Sequence, residues 1–581
     1  MAETIISPGV FTRENDISFI QPAPVTVGAA IIGPTVKGPV ETPTLVTSYN
    51  DYTRKFGVTF NSGSTSNEFL TSLAVKNYFQ QGGGSVLVTR VVSGSFTAAT
   101  STHVSASNYA ATQPFELATL GKGTIYNNST GLLDAGQHNT DGSLATGSAD
   151  NLRWEISNVN NAKGTFSLSI RQGNDNTKNK IVLETYNNIS LDPNSPDYIE
   201  KVIGNQVVSL PAGATQVTVT GEYVNRSNYV RVSAVNLPTI DYLGIDGITV
   251  NSAGGTSYSA SLPIAQSGSF YNATGNNYSN NAGASKFFGS ITSTNIQGLV
   301  PANYSNVITL LGNKDDYAFN VISAPGANSS DHSIVTDGLI SLAETRGDCI
   351  AVIDLDGYGS TVANATAAAD ALNSSYAAAY YPWVQMQSAT GKLVWCPPST
   401  VIPGIYAFTD SSSAPWFAPA GLVRGGVTGV IQVEKRLSKT DRDNLYDGKV
   451  NPIATFPGAG IAVFGQKTLQ TKASALDRVN VRRLLIELKK FIGNQANTLV
   501  FEQNTVATRS RFLAAVNPYL EFVTQRNGLY AYKVVMDDTN NSADVVDRNQ
   551  LVGQIYIQPA KTAEFIVLDF VVQPTGATFE G

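Results

Sequence analysis

Cysteine, histidine and charge are all scarce in this chain of 581 residues. Its two cysteines, Cys349 and Cys396, exclude a disulfide framework and a four-thiolate zinc site, and they fit folding in a reducing cytoplasm. Charged residues make up 14% of the chain and the net charge is -6, so there is no overall positive field for nucleic acid. We expect no direct contact with nucleic acid.

Long apolar runs are missing as well. The segment Ile17 to Val36 has no charge, but prolines interrupt it, and this favours a loop entering a buried strand at Val25 to Ile32 over a membrane helix. The N-terminus lacks the basic end and apolar run of a secretory signal. We predict no signal peptide and no membrane insertion.

The supply of catalytic groups is small. Only three histidines exist, and neither a G-x-S-x-G elbow nor a phosphate-binding G-x-x-x-x-G-K-[ST] loop occurs. Asp354 and Asp356 follow a predicted strand, where α/β sheets place many active sites, and His332 is the histidine nearest to them in sequence. An enzyme that uses these three residues is one alternative, but capping of a glycine-rich loop explains the two carboxylates better. We expect no catalytic site, no metal site and no cofactor.

The order of helix and strand signals indicates a mixed α/β and β protein with several domains. A helix over Asn67 to Gln81, capped by Ser66 or Asn67, precedes a buried strand at Ser85 to Val92. Later signals predict a βαβ unit in a partly parallel sheet. Its elements are a strand at Asp348 to Leu355, an alanine-rich helix at Val362 to Ala378 and a strand at Tyr380 to Met386.

Between the two α/β parts lies a long stretch rich in Ser, Thr, Asn and Gly, which predicts a β-rich insertion of more than one subdomain. The predicted domains are an extended N-terminal arm (1–22), an α/β core (23–93 with 305–415), the insertion (94–304), a C-terminal domain (416–572) and a C-terminal arm (573–581).

The segment from Trp416 to Ser510 is basic, with fourteen Lys and Arg against seven Asp and Glu. Within it an apolar stripe of helical period runs from Val481 to Ile492, and a second helix is predicted at Ala507 to Gln525, before a strand at Leu529 to Met536. Four basic residues fall off the stripe: Arg482, Arg483, Lys489 and Lys490. They indicate either a basic face for an acidic partner or an ordinary solvated helix face.

Short motifs in a fixed order carry a family resemblance. The N-terminal motifs are Ser7-Pro-Gly-Val-Phe11, Gly33-Pro34, Lys37-Gly-Pro39 and Val88-Thr-Arg-Val91. The later motifs are Tyr380-Tyr-Pro-Trp383, Gly404-Ile-Tyr-Ala407, Trp416-Phe-Ala-Pro-Ala-Gly421, Phe464-Gly-Gln-Lys-Thr468, Asn480-Val-Arg-Arg483, Phe501-Glu502 and Ala563-Glu-Phe-Ile566. Over residues 1–93 and 315–581 the chain resembles the tail sheath proteins of contractile phage tails and related contractile injection systems.

That resemblance implies a structural subunit and not an enzyme. Such subunits form stacked hexameric rings around an inner tube and contract to drive the tube through the target cell envelope. The implied fold is a subtilisin-like α/β scaffold without catalysis, an α+β C-terminal sheath domain that faces the tube, and an insertion that faces solvent. The implied partners are other copies of the chain, the inner tail tube protein, and the baseplate and tail terminator proteins. The implied location is the virion tail, and the host cytoplasm during assembly.

The resemblance also implies residue roles. In the family, N-terminal and C-terminal arms add strands to neighbouring subunits. The candidates for this strand exchange are Ile5, Ile6, Val10, Phe11, Val572, Thr578 and Phe579. The tube-facing candidates are Arg482, Arg483, Lys489 and Lys490.

A surface adhesin or glycan-binding protein is the alternative from another class. It is suggested by the tyrosines of the polar insertion, namely Tyr223, Tyr229, Tyr258, Tyr271 and Tyr278.

Overall fold

The computed structural model describes residues 27–62, 65–106, 112–134, 138–276 and 291–565. The N-terminal part contains β1 (Val27–Gly33), β2 (Thr44–Val46), α1 (Tyr49–Phe56), β3 (Thr59–Ser62), β4 (Thr65–Glu68), α2 (Leu70–Gln80) and β5 (Val86–Arg90). The insertion contains β6 (Ala98–Ser101), β7 (Phe115–Lys122), β8 (Leu152–Asn160), β9 (Thr165–Gln172), β10 (Val182–Ser190), α3 (Ile199–Ile203), β11 (Val207–Ser209), β12 (Thr218–Thr220), β13 (Val230–Val235), β14 (Ser252–Ala253), β15 (Thr256–Ser257), β16 (Gln266–Gly268) and β17 (Phe270–Tyr271).

The chain then returns to alternating helices and strands. These are α4 (Ser305–Leu311), β18 (Phe319–Asn328), α5 (Ser333–Arg346), β19 (Ile350–Asp354), α6 (Val362–Asp370), β20 (Ala377–Tyr381), β21 (Val384–Gln387), β22 (Leu393–Cys396), α7 (Ile402–Ser412), α8 (Gly421–Arg424), β23 (Val430–Val433), α9 (Lys439–Asp447), β24 (Val450–Phe456) and β25 (Gly460–Val463). The C-terminal part contains α10 (Val479–Asn497), α11 (Val506–Gln525), β26 (Leu529–Val535), α12 (Ala543–Asp547) and β27 (Gln554–Pro559).

One eight-stranded sheet joins the N-terminal part to the region after the insertion. Its strand order is β2-β5-β1-β18-β19-β20-β24-β25. The six inner strands are parallel to one another, and the two edge strands are antiparallel. The parallel pairing of β19 with β20 across α6 confirms the predicted βαβ unit. The insertion therefore interrupts a single sheet in sequence and leaves the sheet continuous in space.

Both faces of this sheet are buried, which explains why its strands are almost uniformly apolar. On β1, Ala30 and Ile32 pack with α4, α5 and α6, whereas Ala29 and Ile31 pack with α1, α2 and α7. Successive side chains point to opposite faces of a strand, so one apolar run supplies both cores. The mixed α/β, multi-domain fold class is confirmed.

The insertion has two antiparallel sheets of four strands, ordered β10-β9-β8-β16 and β13-β7-β6-β17. Their inner faces contribute to one apolar cluster, in which the rings of Phe115 and Phe166 stack with centroids 5.5 Å apart. Alternating residues of β8 and β9, such as Leu152, Trp154 and Leu168, point into this core, as expected for sheets with one buried face.

Two predicted elements have different bounds from those expected. Helix α2 begins at Leu70 and not at Asn67, because Thr65–Glu68 pairs with Thr59–Ser62 as a hairpin strand. The strand predicted at Tyr380 to Met386 is two strands: β20 belongs to the main sheet, whereas β21 lies in a separate sheet ordered β22-β21-β23.

The alanine-rich helix is also shorter than predicted. It ends at Asp370, and Ala377 starts a fully buried strand. Alanine favours helices in isolation, but tertiary packing between β19 and β24 decides its conformation here.

The C-terminal helices α10 and α11 are close to their predicted bounds. They enclose a small core with the hairpin of β26 and β27, which includes Trp416, Leu488, Phe512 and Leu520. Helix α10 has a second buried face, where Val479 and Ile486 belong to the core of the main sheet. It therefore connects the two cores.

Candidate assembly site

The sheet formed by β26 and β27 has only two strands among the residues that the structure describes. The pairing is antiparallel and runs from Leu529 opposite Pro559 to Val535 opposite Gln554. Each strand therefore has one outer edge whose backbone N–H and C=O groups pair with no described strand. Such an edge is a template for an incoming strand, and two-stranded sheets are marginally stable alone.

One face of this hairpin is fixed to the subunit and the other is solvated. Leu529 is buried, and Ile555 and Ile557 are half-buried against the α10–α11 core. The hydroxyl of Tyr532 donates to the carbonyl of Asn517 on α11 at 3.2 Å. The rings of Tyr530 and Tyr556 are exposed. The hairpin is therefore held by one face, and no described residue outside the hairpin pairs with either of its edges.

The chain after β27 is attached to the main sheet through one carboxylate. Glu564 accepts hydrogen bonds from Arg478 Nε at 2.7 Å and Nη2 at 3.0 Å, from the Tyr446 hydroxyl at 2.7 Å and from Gln466 Nε2 at 3.0 Å. We call these four residues the Glu564 cluster. The parallel bonds from one guanidinium make this a bidentate pair, the geometry that gives strong charge-assisted bonds.

Burial and hydrogen bonding act in opposite directions on the Glu564 carboxylate. Burial alone would raise its pKa, but hydrogen bonds from Arg478, Tyr446 and Gln466 outweigh this and the pKa is lowered. Burial, with the adjacent carboxylate, raises the pKa of the Tyr446 hydroxyl well above its ordinary value. The cluster is therefore an ionised carboxylate held by a cation and a neutral phenol at neutral pH.

Sequence reasoning did not identify this cluster. Gln466 and Glu564 both lie in motifs that carried the family resemblance, but they are separated by 98 positions. Residues so far apart in sequence produce no local periodicity. The two motifs were therefore the only sequence signal for the cluster.

Beside the cluster lies an apolar cavity of about 350 Å³. Ala418, Ala420 and Phe464 line it together with Phe565, whose ring is largely exposed. The last described residue of the chain therefore lies at an open apolar surface next to the edge strand β25.

The residues predicted to exchange strands lie outside the described ranges. These are Ile5, Ile6, Val10, Phe11, Val572, Thr578 and Phe579. Their exchange stays a prediction.

The prediction that Arg482 and Arg483 lie on the surface is wrong. Arg482 and Arg483 are each 4% exposed and do not contribute to a solvent-facing basic surface. Arg482 donates to Ser375 and lies 4.0 Å over the Tyr376 ring, whereas Arg483 donates to both carboxylate oxygens of Asp410 at 2.6 Å. They were misplaced because the helical pattern was assigned a single buried face, although α10 packs on two sides.

The two lysines remain closer to solvent. Lys489 is exposed, and Lys490 is half-buried with Nζ 3.4 Å from Asn320 Oδ1. Burial lowers the pKa of Lys490. Contact of these lysines with a tube stays a prediction.

The residues of the enzyme alternative have structural partners. His332 Nδ1 accepts the Asn328 N–H at 3.1 Å, and its Nε2 lies 2.8 Å from the carbonyl of Thr292, so both ring nitrogens are engaged. Asp354 is buried and accepts from the backbone N–H of Ser399 at 2.9 Å and from its hydroxyl at 2.5 Å. Burial raises the pKa of Asp354 to about 7.

Asp356 accepts from the hydroxyls of Ser330 and Ser360, as expected for a carboxylate that organises a loop. Within the described ranges no group of three or more His, Cys, Asp or Glu residues is placed to hold a metal ion. In the same part of the chain, no helix is both long and apolar enough to cross a membrane.

The four candidate insertion tyrosines that the structure describes do not form an exposed aromatic platform. Tyr223 and Tyr229 are half-buried and pack against the insertion core, and Tyr258 and Tyr271 are also half-buried. Tyr278 lies outside the described residues.

Comparison with known proteins identifies two adjoining family matches. The family model for the phage tail sheath protein central domain matches residues 299–469, and the model for the phage tail sheath C-terminal domain matches residues 471–573. The tail sheath protein of Vibrio phage KVP40 is 43% identical over 185 residues, which are 32% of this chain and 28% of the relative. The tail sheath protein of Salmonella phage ViI is 28% identical over 313 residues, half of each chain.

A solved structure extends the likeness to the overall fold. The crystal structure of the sheath tail protein from Listeria innocua covers 92% of this chain and 96% of its own, with a TM-score of 0.53 and 11% identity. At that identity the likeness concerns the fold alone. Because the chain spans between 28% and 50% of the lengths of the two phage relatives, their whole activity is not carried over with the match.

Proposed function

We propose that the chain is the structural subunit of a contractile tail sheath, because residues 299–469 and 471–573 match the family models of the central and C-terminal domains of phage tail sheath proteins. Subunits polymerise as stacked hexameric rings around an inner tube. Contraction of this polymer drives the tube through the envelope of the target cell. The protein works in the virion tail after assembly in the host cytoplasm, with the tube, baseplate and terminator proteins as its partners.

The single observation that carries this proposal is the two-stranded sheet of β26 and β27, whose outer edges are both unpaired within the part of the chain that the structure describes. An N-terminal arm of one neighbour and a C-terminal arm of another supply the strands that these edges lack. Each subunit then gives strands to one side and receives them on the other. A head-to-tail contact of this kind does not close as a dimer and propagates as a helical polymer.

Contraction needs no fuel bound to the sheath in this account. Rigid subunit bodies rotate between an extended lattice and a contracted one, while the exchanged strands keep neighbours connected. The α/β core, proposed to be a subtilisin-like scaffold, supplies a rigid body because both faces of its sheet are packed. The same region works as scaffold and not as an enzyme, which is consistent with the backbone partners of His332.

Two finer assignments belong to the proposal. The domain limits are the N-terminal arm to residue 22, the core, the insertion at 94–304, the sheath domain at 416–572 and the arm from 573. The insertion faces solvent, and the surface around Lys489 and Lys490 faces the tube.

Electron microscopy of the purified full chain tests this function. Concentrated protein, alone and with preassembled inner tubes, should give hollow striated polymers in negative stain. A monodisperse monomer in both preparations would contradict the proposal.

A further inference from the structure

The segment from Ala560 to Phe565 connects two parts of the subunit. At its start the Ala560 N–H donates to the carbonyl of Gly528 at 3.0 Å, which is the last backbone bond of the hairpin. Farther along, Gln466 Nε2 donates to the Thr562 hydroxyl at 2.6 Å. The Glu564 cluster then fixes the chain beside the main sheet. The hairpin and the main sheet thus hold opposite ends of one short segment.

Between the hairpin and Glu564 the segment makes few other contacts, so its attachment to the subunit depends on the Glu564 cluster. Lys561 and Ala563 are exposed, and no helix or strand includes the segment. Glu564 and Arg478 are 18% and 25% exposed, so water screens their interaction only in part. Loss of the Glu564 carboxylate would leave the Gln466 bond to Thr562 as the main polar side-chain contact of the segment.

We infer that the Glu564 cluster is the anchor that fixes the C-terminal arm to its own subunit and sets where along the chain exchange with a neighbour begins, an inference that rests on the proposed strand exchange. With the anchor in place, the chain beyond Phe565 is the part that reaches a neighbour. Without the Glu564 carboxylate, the bond from Gln466 to Thr562 is the remaining side-chain attachment. Once that bond opens, about five further residues add a reach of about 17 Å.

The anchor has a mechanical consequence. When subunit bodies rotate, tension along an exchanged arm reaches the cluster before it reaches β27. Arg478 and Gln466 belong to the body of the subunit, because they flank α10 and β25. The force therefore passes to the rigid body, and the open hairpin keeps its register for the strand that it receives.

Limited proteolysis of the dissociated subunit tests the anchor without assembly. Trypsin cleaves after Lys561, three residues before the cluster. Glu564→Ala should speed this cleavage at least about tenfold, because local opening no longer breaks charge-assisted bonds. Tyr446→Phe removes one bond and should give a smaller increase. Asp544→Ala serves as the matched control. It removes an exposed ion pair outside the segment, in which Asp544 and Arg548 are 2.6 Å apart.

The outcomes separate the anchor from the function. Cleavage of Glu564→Ala and Tyr446→Phe at the wild-type rate, with unchanged circular dichroism, would overturn the anchor and leave the sheath proposal standing. Faster cleavage, together with a critical concentration for sheath assembly that is at least about tenfold higher than in the wild type, supports the inference. Faster cleavage with unchanged assembly would overturn its role in exchange. If the wild-type chain forms no polymer, the proposed function fails, and with it the part of the inference that concerns exchange.

Discussion

The main sheet and the β26–β27 sheet manage their edges in opposite ways. The main sheet ends in β2, a strand of three residues, and in β25, whose outer edge bonds to Gly425 and Val427. Among the described residues, thirty buried apolar side chains belong to the core on each of its faces, against eleven in the core beneath the hairpin. The hairpin has neither a short edge nor a covered one in the described chain. Within the described residues the main sheet is complete, whereas the hairpin has two unpaired edges, which we propose are completed by neighbours.

This difference supports the proposed role in assembly. Natural proteins shorten or cover sheet edges because open ones promote association. If the two edges that are unpaired among the described residues stay open in the subunit, association is restricted to them. In the proposed assembly the packed core resists deformation and the hairpin determines how subunits connect.

Removing the donor strand should have the largest effect. A chain with residues 2–20 replaced by a Gly/Ser linker of equal length should fold normally and form no polymers, because one edge of every hairpin stays unfilled. Size-exclusion chromatography and negative-stain microscopy measure this, with thermal unfolding as the control for folding. Polymers of normal appearance would eliminate the N-terminal arm as a donor.

The closed core should show a pH dependence that comes from Asp354. Its pKa is about 7 in the folded chain against an ordinary value of 3.8. Below pH 4 the Asp354 carboxyl is protonated in both the folded and the unfolded state, so the free energy of unfolding is at its highest with respect to this group. Between pH 4 and 7 the unfolded state ionises first, so the free energy of unfolding falls, by about 4 kcal/mol in total. Asp354→Asn should remove this dependence in urea unfolding measured from pH 4 to 8, and an unchanged slope would contradict the assignment.

Matched truncations should separate the two regions. Ile322→Ala in the main core should lower the free energy of unfolding by about 3 kcal/mol, because it leaves a cavity between packed layers. Ile557→Ala on half-buried β27 should cost about 1 kcal/mol in the subunit, yet weaken assembly more than Ile322→Ala does. Urea unfolding and the critical concentration for assembly measure both quantities. Equal effects of Ile322→Ala and Ile557→Ala on the critical concentration would contradict the distinction between the main sheet and the hairpin.

The basic residues of α10 give the smallest expected differences. Arg483→Ala should lower subunit stability by about 2 kcal/mol, since it leaves Asp410 without the Nη2 group that donates to both of its carboxylate oxygens. Lys489→Ala should change stability by less than about 0.5 kcal/mol. If Lys489 and Lys490 face the tube, Lys489→Glu with Lys490→Glu should weaken tube binding most at low salt. Salt-independent binding by this double variant would exclude the tube-facing assignment.

Local patterns predicted much of the fold. The apolar stripe of α10 and the buried strands β1, β5 and β19 have periods that short windows reveal. The family motifs indicated the sheath class. Patterns failed where tertiary contacts decide the outcome: at Ala377, which is a strand residue despite its helix propensity, and at the hairpin Thr59–Glu68, which displaces the start of α2.

The candidate site was less accessible to such reasoning. The open hairpin follows from the absence of a third described strand, which no single segment reveals. Arg482 and Arg483 were predicted to be exposed because a helical wheel does not show that a helix packs between two cores. The Glu564 cluster joins residues from α9, the turn after β25, the start of α10 and the segment after β27.

Hydrogen exchange at β26 and β27 tests the central claim most directly. The amides of β26 and those of residues 554–558 in β27 are compared in dissociated subunits and in assembled polymers, with the main-sheet strand β18 as the internal reference. We predict at least about a hundredfold slower exchange at the outer-edge amides on assembly, and unchanged exchange in β18. Equal exchange of the hairpin amides in both states would contradict completion of this sheet by neighbouring chains.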